Sequence, residues 1–239
     1  MVTDFHTHVL PGMDDGSASV SESIAMLREA FRQGITHVVA TPHFYPQKDS
    51  PEAFLRRRQV AEDRLREQMA RETDLPSLSV GAEVYFFPGM SNSDTLSLLT
   101  IGKNRYIMLE LVNSPWSEYI YQEVQGIYEK QGLTPIIAHV DRYIRPFRTY
   151  GIPYRLEELP VLVQANADFF LNRRTASLAL RLLKSDRIHL LGSDCHNLSD
   201  RAPNMGNAAQ VIARRLGAEA LERIGSYEQV VLSPGTDNI

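Results

Sequence analysis

Apolar positions along the chain gather in short runs separated by longer mixed stretches. "THVVAT" (36–41), "LSVGAE" (78–83), "RYIMLEL" (105–111), "TPIIAHV" (134–140), "VLVQAN" (161–166) and "RIHLLGSD" (187–194) are each almost continuously hydrophobic. Runs of that length, rich in β-branched residues and leucine, read as strands buried on both faces. With "VTDFH" at the start, the pattern predicts seven strands. The stretches between them carry helix signals. Ser19 and Glu22 form a possible capping box ahead of Ile24, Leu27 and Phe31, and Gly34 sits where that helix should stop. Ser50-Pro51-Glu52 is an equally good start for a helix running to about Thr73. Strands and helices alternate everywhere except around 84–104, which implies a parallel sheet in an α/β fold. No Pro/Gly-rich linker, repeat or low-complexity segment divides the chain, so residues 1–239 are expected to form one domain.

Composition narrows the function classes. A chain of 239 residues that is 43% hydrophobic can bury a full core. A net charge of −4 argues against nucleic acid as partner, because phosphate binding needs a clustered excess of Lys and Arg. The single cysteine, Cys195, excludes an intramolecular disulfide and fits a reducing compartment. Neither a leader pattern nor a run near the ~20 apolar residues that span a bilayer is visible, so a cytoplasmic location is expected. "RRRQVAEDRLRE" (56–67) interleaves acids at helical spacing and reads as a solvated helix face, with a basic docking surface as its alternative. The closing "SPGTDNI" reads as a frayed tail.

The chemistry lies in where the ligand-type residues fall. "DFHTHVLPGMDDG" (4–16) ends the first strand with His6 and His8 and follows them with Asp14 and Asp15. His43 closes the second strand, Glu83 the third, Glu110 the fourth and His139 the fifth, while Asp194 and His196 close the last. Six strands thus finish with His, Glu or Asp at their C-terminal ends, the end that carries the chemistry in parallel α/β folds and barrels. A lone His after a strand is more often a cap or loop residue. Here five of the seven histidines fall at these ends; His37 and His189 lie inside strands and read as structural. The co-location points to a polynuclear metal site. An HxH pair at a strand end directs both imidazoles to one side. Imidazole with carboxylate suits Zn²⁺, Mn²⁺ or Fe. A carboxylate such as Glu83 can bridge two ions held ~3.5–4 Å apart, generating a hydroxide nucleophile at neutral pH.

Taken together, the HxH start, "TPH", "GAE", "AHVDRY" and "SDCHN" resemble the PHP (polymerase and histidinol phosphatase) superfamily. Within it the likeness is to the bacterial protein-tyrosine phosphatases of capsular and exopolysaccharide loci, and it runs from "DFHTH" to "DRAPNM". The resemblance implies a distorted (β/α)₇ TIM-like barrel of PHP fold holding three divalent metal ions, Mn²⁺ in first place with Fe or Zn²⁺ as alternatives. It implies His6, His8, Glu83 and Asp194 around one metal. A second would have Glu83 as a bridge with Glu110 and His139, and a third Asp15, His43 and His196, with Asp14 the alternative to Asp15. It also implies Arg142 of "HVDRY" (the family's "HIERY") and Arg201 as phosphate clamps, since a guanidinium grips phosphate oxygens bidentately. His43 or His196 would protonate the leaving tyrosinate. The implied activity is phosphotyrosine hydrolysis (EC 3.1.3.48), and the implied partner is the tyrosine-rich tail of a bacterial tyrosine kinase of polysaccharide export. A small-molecule phosphomonoesterase such as histidinol phosphatase is the alternative, and a regulatory barrel without catalysis a further one.

Cys195 and Arg201 also match the Cys-x₅-Arg spacing of cysteine-dependent tyrosine phosphatases. Such a loop wraps phosphate with successive backbone N–H groups, usually helped by glycine. "CHNLSDR" has no glycine and carries Asp200 where a dianion would sit. The spacing reads as coincidence.

Overall fold

The computed structural model describes residues 3–102, 104–144, 149 and 151–233; Val2 of the first predicted strand and most of the predicted tail lie outside them. Nine strand segments, all paired in parallel, form the sheet: β1 (Thr3–Thr7), β2 (His37–Ala40), β3 (His43–Phe44), β4 (Ser77–Val80), β5 (Glu83–Tyr85), β6 (Tyr106–Glu110), β7 (Thr134–Ile137), β8 (Leu162–Asn166) and β9 (Leu190–Gly192). They are ordered β1-β2-β4 and β3-β5-β6-β7-β8-β9. Two of the seven predicted strands are therefore divided, at Thr41-Pro42 and at Gly81-Ala82. The ladder nevertheless continues across the breaks. Gly81 N–H donates to Ala40 O at 2.8 Å and Glu83 N–H to Pro42 O at 3.0 Å, so β2–β3 and β4–β5 act as two bent staves.

The causes of the bends are local. Pro42 has no N–H to donate to a ladder. Gly81 is needed because a Cβ there would stand 2.9 Å from Ile101 Cγ1 and 3.2 Å from Ile101 Cα. Asp194 N–H donates to His6 O (2.8 Å) and His8 N–H to Cys195 O (2.9 Å), which joins the last stave to the first. The result is a distorted seven-stave (β/α) barrel.

Helices cover its outside. In α1 (Val20–Arg32) Ser19 Oγ accepts Glu22 N–H, while the Glu22 carboxylate reaches back to Ala18 N–H, one residue beyond the expected capping-box partner. In α2 (Pro51–Met69) Ser50 Oγ accepts Ala53 N–H. This helix ends short of Thr73, and the left-handed Asp74 (φ 59°) follows. Among the described residues no α-helix joins β5 to β6; two 3₁₀ turns, Met90–Asn92 and Leu96–Leu99, fill the predicted gap in the alternation. Beyond β6 come α3 (Glu118–Gln131), α4 (Val140–Ile144), α5 (Ile152–Leu156), α6 (Ala167–Leu171), α7 (Ala176–Lys184), α8 (Met205–Leu216) and α9 (Ala218–Leu232). None of the described helices is long and apolar enough to cross a membrane.

Strand periodicity positions the site. On β6 the alternate residues Tyr106 and Met108 enter an apolar plug with Phe5, Val39, Ile136 and Leu190, and Glu110 is next in the same file. Ile101 and Val231 of α9 join that plug from below. Glu228 of α9, almost fully buried, accepts Thr3 N–H at 3.2 Å. The C-terminal end of the barrel is thereby left to polar side chains.

Candidate metal centre

Nine His, Asp and Glu side chains converge at the C-terminal mouth. His6 and His8 meet with their Nε2 atoms 3.2 Å apart. Gly192 makes room for His6, since a Cβ at that position would fall 2.5 Å from His6 Cβ. His43 and Glu83, expected to close strands, instead open β3 and β5, where they sit side by side in register. Glu83 uses both carboxylate oxygens: Oε1 stands 2.7 Å from His139 Nε2, and Oε2 stands 3.1, 3.3 and 3.0 Å from His6 Nε2, His8 Nε2 and His43 Nδ1. Glu110 approaches His43 Nδ1 at 3.8 Å and His139 Nε2 at 3.9 Å. Asp194 Oδ1 faces His6, His8 and His196 at 3.7, 3.4 and 3.6 Å. His139 and Asp194 reach inward from left-handed backbone (φ 33° and 56°), a conformation in which non-glycine residues are uncommon.

Asp14 and Asp15 part company here. Asp14 is spoken for: its Oδ2 accepts His8 Nδ1–H at 2.8 Å and His43 N–H at 2.8 Å, and its Oδ1 accepts Gly16 N–H. Asp15, largely exposed, turns Oδ1 toward His196 Nε2 (3.4 Å) and His43 Nε2 (3.6 Å). Two residues that sequence reasoning missed complete the surround. Gln164 Oε1 accepts His139 N–H at 2.6 Å and stands 3.2 Å from His6 Nδ1, so it favours the tautomer with a free Nε2. Asn166 Nδ2 donates to Asp194 Oδ2 at 3.1 Å. Both come from β8, the one stave whose end carries no imidazole or carboxylate; their position there was the available signal.

The electrostatics are those of opposed charges pressed together. Burial alone would raise Glu83 and Asp194, but the imidazoles around them, with Arg142 beside Asp194, hold both well below the usual carboxylate range. Burial, then repulsion from Glu83, pushes Glu110 up to about 7. Burial opposes a charge on His8, yet Asp14, Asp194 and Glu83 outweigh it and raise the imidazole well above its ordinary value. His196 falls to about 4 through burial and the neighbouring His8 charge. Despite the short separations, His43 Nδ1, Glu83 Oε2, Glu110 Oε2 and His196 Nε2 are buried without an aligned hydrogen-bond partner. Buried polar atoms left without a partner are costly. A set of imidazole and carboxylate donors in this state fits divalent cations. Four overlapping groups have ligand atoms within 4.8 Å of one another: His6–His8–Asp194, His6–Glu83–His139, His43–Glu83–Glu110 and His8–His43–His196.

The remaining candidates fall beside this cage. Arg142 and Arg201 both pair with Asp194, Arg142 on Oδ2 and Arg201 on Oδ1 at 2.7 Å, with their side chains partly open to solvent. Arg201 also lies 3.7 Å from Asp15. Cys195 is buried, and that burial pushes its thiol far up, away from the thiolate a nucleophile requires. The ring of His37 bridges the hydroxyls of Ser77 and Ser79, and His189 Nδ1 accepts Val163 N–H, tying each to a neighbouring strand.

A parallel barrel with a buried imidazole–carboxylate cage at its C-terminal mouth defines a class, the metal-dependent barrel hydrolases. The chain belongs to the CpsB/CapC family of capsular polysaccharide synthesis, whose pattern it matches over residues 2–230. It is 30% identical over 226 residues to the tyrosine-protein phosphatase YwqE of Bacillus subtilis, covering 90% of this chain and 85% of that protein. It is 27% identical over 236 residues to the tyrosine-protein phosphatase CpsB of Streptococcus pneumoniae, covering 92% and 93%. A crystal structure from the study of YwqE and CpsB, described there as unique metal-dependent tyrosine phosphatases, superposes with a TM-score of 0.83 at 27% identity, over 96% of this chain and 94% of that one. An amidohydrolase structure at 13% identity and a TM-score of 0.51 shares the fold alone.

Proposed function

We propose that this protein is a metal-dependent protein-tyrosine phosphatase of the PHP type, acting as one domain over residues 1–239. The observation that carries the reading is the cage itself: converging imidazole and carboxylate groups of which His43 Nδ1, Glu83 Oε2, Glu110 Oε2 and His196 Nε2 are buried without a hydrogen-bond partner, in a chain whose family relatives are tyrosine phosphatases. We assign His6, His8, Glu83 and Asp194 to one ion, Glu83, Glu110 and His139 to a second, and Asp15, His43 and His196 to a third. Mn²⁺ is the first choice, with Fe or Zn²⁺ compatible. When bound, divalent ions supply a nucleophile at neutral pH and neutralise charge on the phosphoryl oxygens.

The chain's own residues do the rest. Glu83 supports a bridging role because its two oxygens face different imidazoles. Arg142 and Arg201, at the rim on Asp194, are placed to turn their guanidinium forks onto the equatorial phosphoryl oxygens. Tyrosinate leaves readily, so little proton donation is needed; of His43 and His196, His43 is the one that borders an open cavity. The substrate in the cell would be the tyrosine-rich tail of a bacterial tyrosine kinase controlling polysaccharide export.

The test pairs elemental analysis of protein purified without added metal with turnover of a phosphotyrosyl peptide and of histidinol phosphate. More than two metal equivalents per chain and a higher kcat/KM on the peptide are expected. Preference for histidinol phosphate would move the protein to the small-molecule phosphatases, and hydrolysis that survives full chelation would remove the metal from the mechanism.

A further inference from the structure

The arginine-rich helix α2 has no role in the chemistry above, yet it forms one wall of the approach to the cage. A cavity of about 410 Å³ opens between His43 and Asp15 of the cage and Tyr45, Lys48 and Arg57. The Tyr45 ring lies 5.1 Å from the His43 ring and 5.5 Å from that of Tyr85, giving this cavity an aromatic side next to the cage. A second cavity of about 320 Å³ shares Met13 and Arg57 with the first and continues along α2 past Arg56, Val60 and Arg64. The two form a groove that leads from the cage out along the helix.

The charge of this groove follows from helical spacing. Arg56, Val60 and Arg64 repeat every four residues and fall on one face of α2, with Arg57 beside them. Three of the four acids of the same helix are engaged elsewhere: Glu62 pairs with Arg66 at 2.7 Å, Glu67 with Arg71 at 2.6 Å, and Asp63 accepts from Gln59 at 2.8 Å; the fourth, Glu52, lies in the first turn, one turn before Arg56. Arg57 is tied to Asp49, but Arg56 and Arg64 form no ion pair among the described residues. Asp14 and Asp49 also line the inner cavity, but Asp14 is taken up by His8 and Asp49 by Arg57; outward from them Arg56 and Arg64, with Lys48 lying 4.4 Å over the Tyr45 ring, line one concave strip contiguous with the cage.

We propose that this groove is a docking subsite for acidic residues flanking the phosphotyrosine of the substrate, with the tyrosyl ring against Tyr45 and the acidic side chains along Arg56 and Arg64. The inference rests on the tyrosine-phosphatase reading and names the class of peptide that site prefers. A concave strip continuous with the cage fits an extended peptide, whereas a membrane surface requires a protruding face. The charge complementarity gives specificity and encounter rate, and it weakens with salt.

The experiment uses the metal-loaded full chain and two phosphotyrosyl peptides that differ only in Glu or Gln at the flanking positions, with p-nitrophenyl phosphate as a substrate that lacks flanks. The wild type is expected to favour the acidic peptide by about tenfold in kcat/KM at low salt, with the advantage shrinking at 0.5 M salt. The exposed double substitution Arg56→Glu/Arg64→Glu is expected to abolish or invert that ratio while leaving p-nitrophenyl phosphate turnover unchanged. A ratio that stays at the wild-type value in the double variant overturns the proposal. So does an unchanged ratio accompanied by lost binding to vesicles containing phosphatidylserine, which would make the strip a lipid contact. Failure of the wild type to hydrolyse either peptide, with p-nitrophenyl phosphate turned over, would instead overturn the tyrosine-phosphatase reading beneath it.

Discussion

Asp14 Oδ2 accepts the Nδ1 proton of His8 at 2.8 Å, which leaves His8 Nε2 as the atom facing the cage. An imidazole held in this way is oriented and made more basic toward a metal. Asp14→Asn should therefore weaken metal binding about 10–100-fold through His8, without removing a donor from the cage. Asp15→Asn should act on one ion, the one between His43 and His196. Calorimetric Mn²⁺ titration separates the two. Wild-type affinity in Asp14→Asn would show that the His8 contact does not orient a ligand.

Glu83 touches imidazoles from three staves, and its loss should be felt by more than one ion. Glu83→Ala is expected to lose more than one metal equivalent per chain, whereas His43→Ala affects mainly one. Glu83→Gln keeps the shape without the charge and should also bind metal poorly. Metal stoichiometry by mass spectrometry, with circular dichroism as a check on folding, decides the matter. A full complement of metal in Glu83→Ala would transfer the bridge to Glu110.

Arg201 reaches the cage from its rim, paired with Asp194. Arg201→Ala should fold and bind metal normally but lose about 2–4 kcal/mol of transition-state stabilisation, in the range of a removed oxyanion donor. Arg201→Lys should rescue only in part, because an ammonium cannot form the bidentate fork. Wild-type kcat/KM on a phosphotyrosyl peptide in Arg201→Ala would refute the assignment.

The buried Cys195 thiol is held in its protonated form. Cys195→Ser should retain most phosphatase activity, and native protein should react slowly with thiol reagents until unfolded. Inactive Cys195→Ser with its metal still bound would revive the cysteine mechanism.

Glu228 offers a pH test remote from the cage. Burial, only partly offset by hydrogen bonds from Thr3, raises its carboxyl from 4.5 to about 7. A carboxyl raised on folding is penalised in its charged form, so its contribution is most favourable below about pH 4.5 and is lost as pH climbs through 7. A shift of this size corresponds to on the order of 3 kcal/mol. Glu228→Gln should match the wild type near pH 5 and be the more stable protein at pH 8, measured by denaturant unfolding. Equal gaps at the two pH values would rule out the titration.

The barrel and most of its cage were legible as local pattern. Strand length, helix caps and the residue type at each strand end are properties of a few neighbouring positions, so His6, His8, Glu110, His139 and Asp194 could be placed at the mouth before any contact was known. The same locality explains the misses. Glu83 and His43 open strands rather than close them because Pro42 and the close approach of Ile101 to Gly81 bend two staves, and the second of these depends on packing across the barrel floor. Gln164 orients His6 from 158 positions away. An amide, not a ligand type in itself, acquires that role only when β8 and β1 are brought to the same mouth. Asp14 and Asp15 are equivalent as sequence; the hydrogen bond to His8 made one a support and left the other facing two imidazoles. In the same way, α2 was readable as a charged helix, but which of its arginines remain unpaired beside the cage depends on where the barrel sets that helix down. Residue type and spacing act through nearest neighbours, and everything that needed two distant side chains to share one proton, one cavity or one bend was decided by the closed barrel.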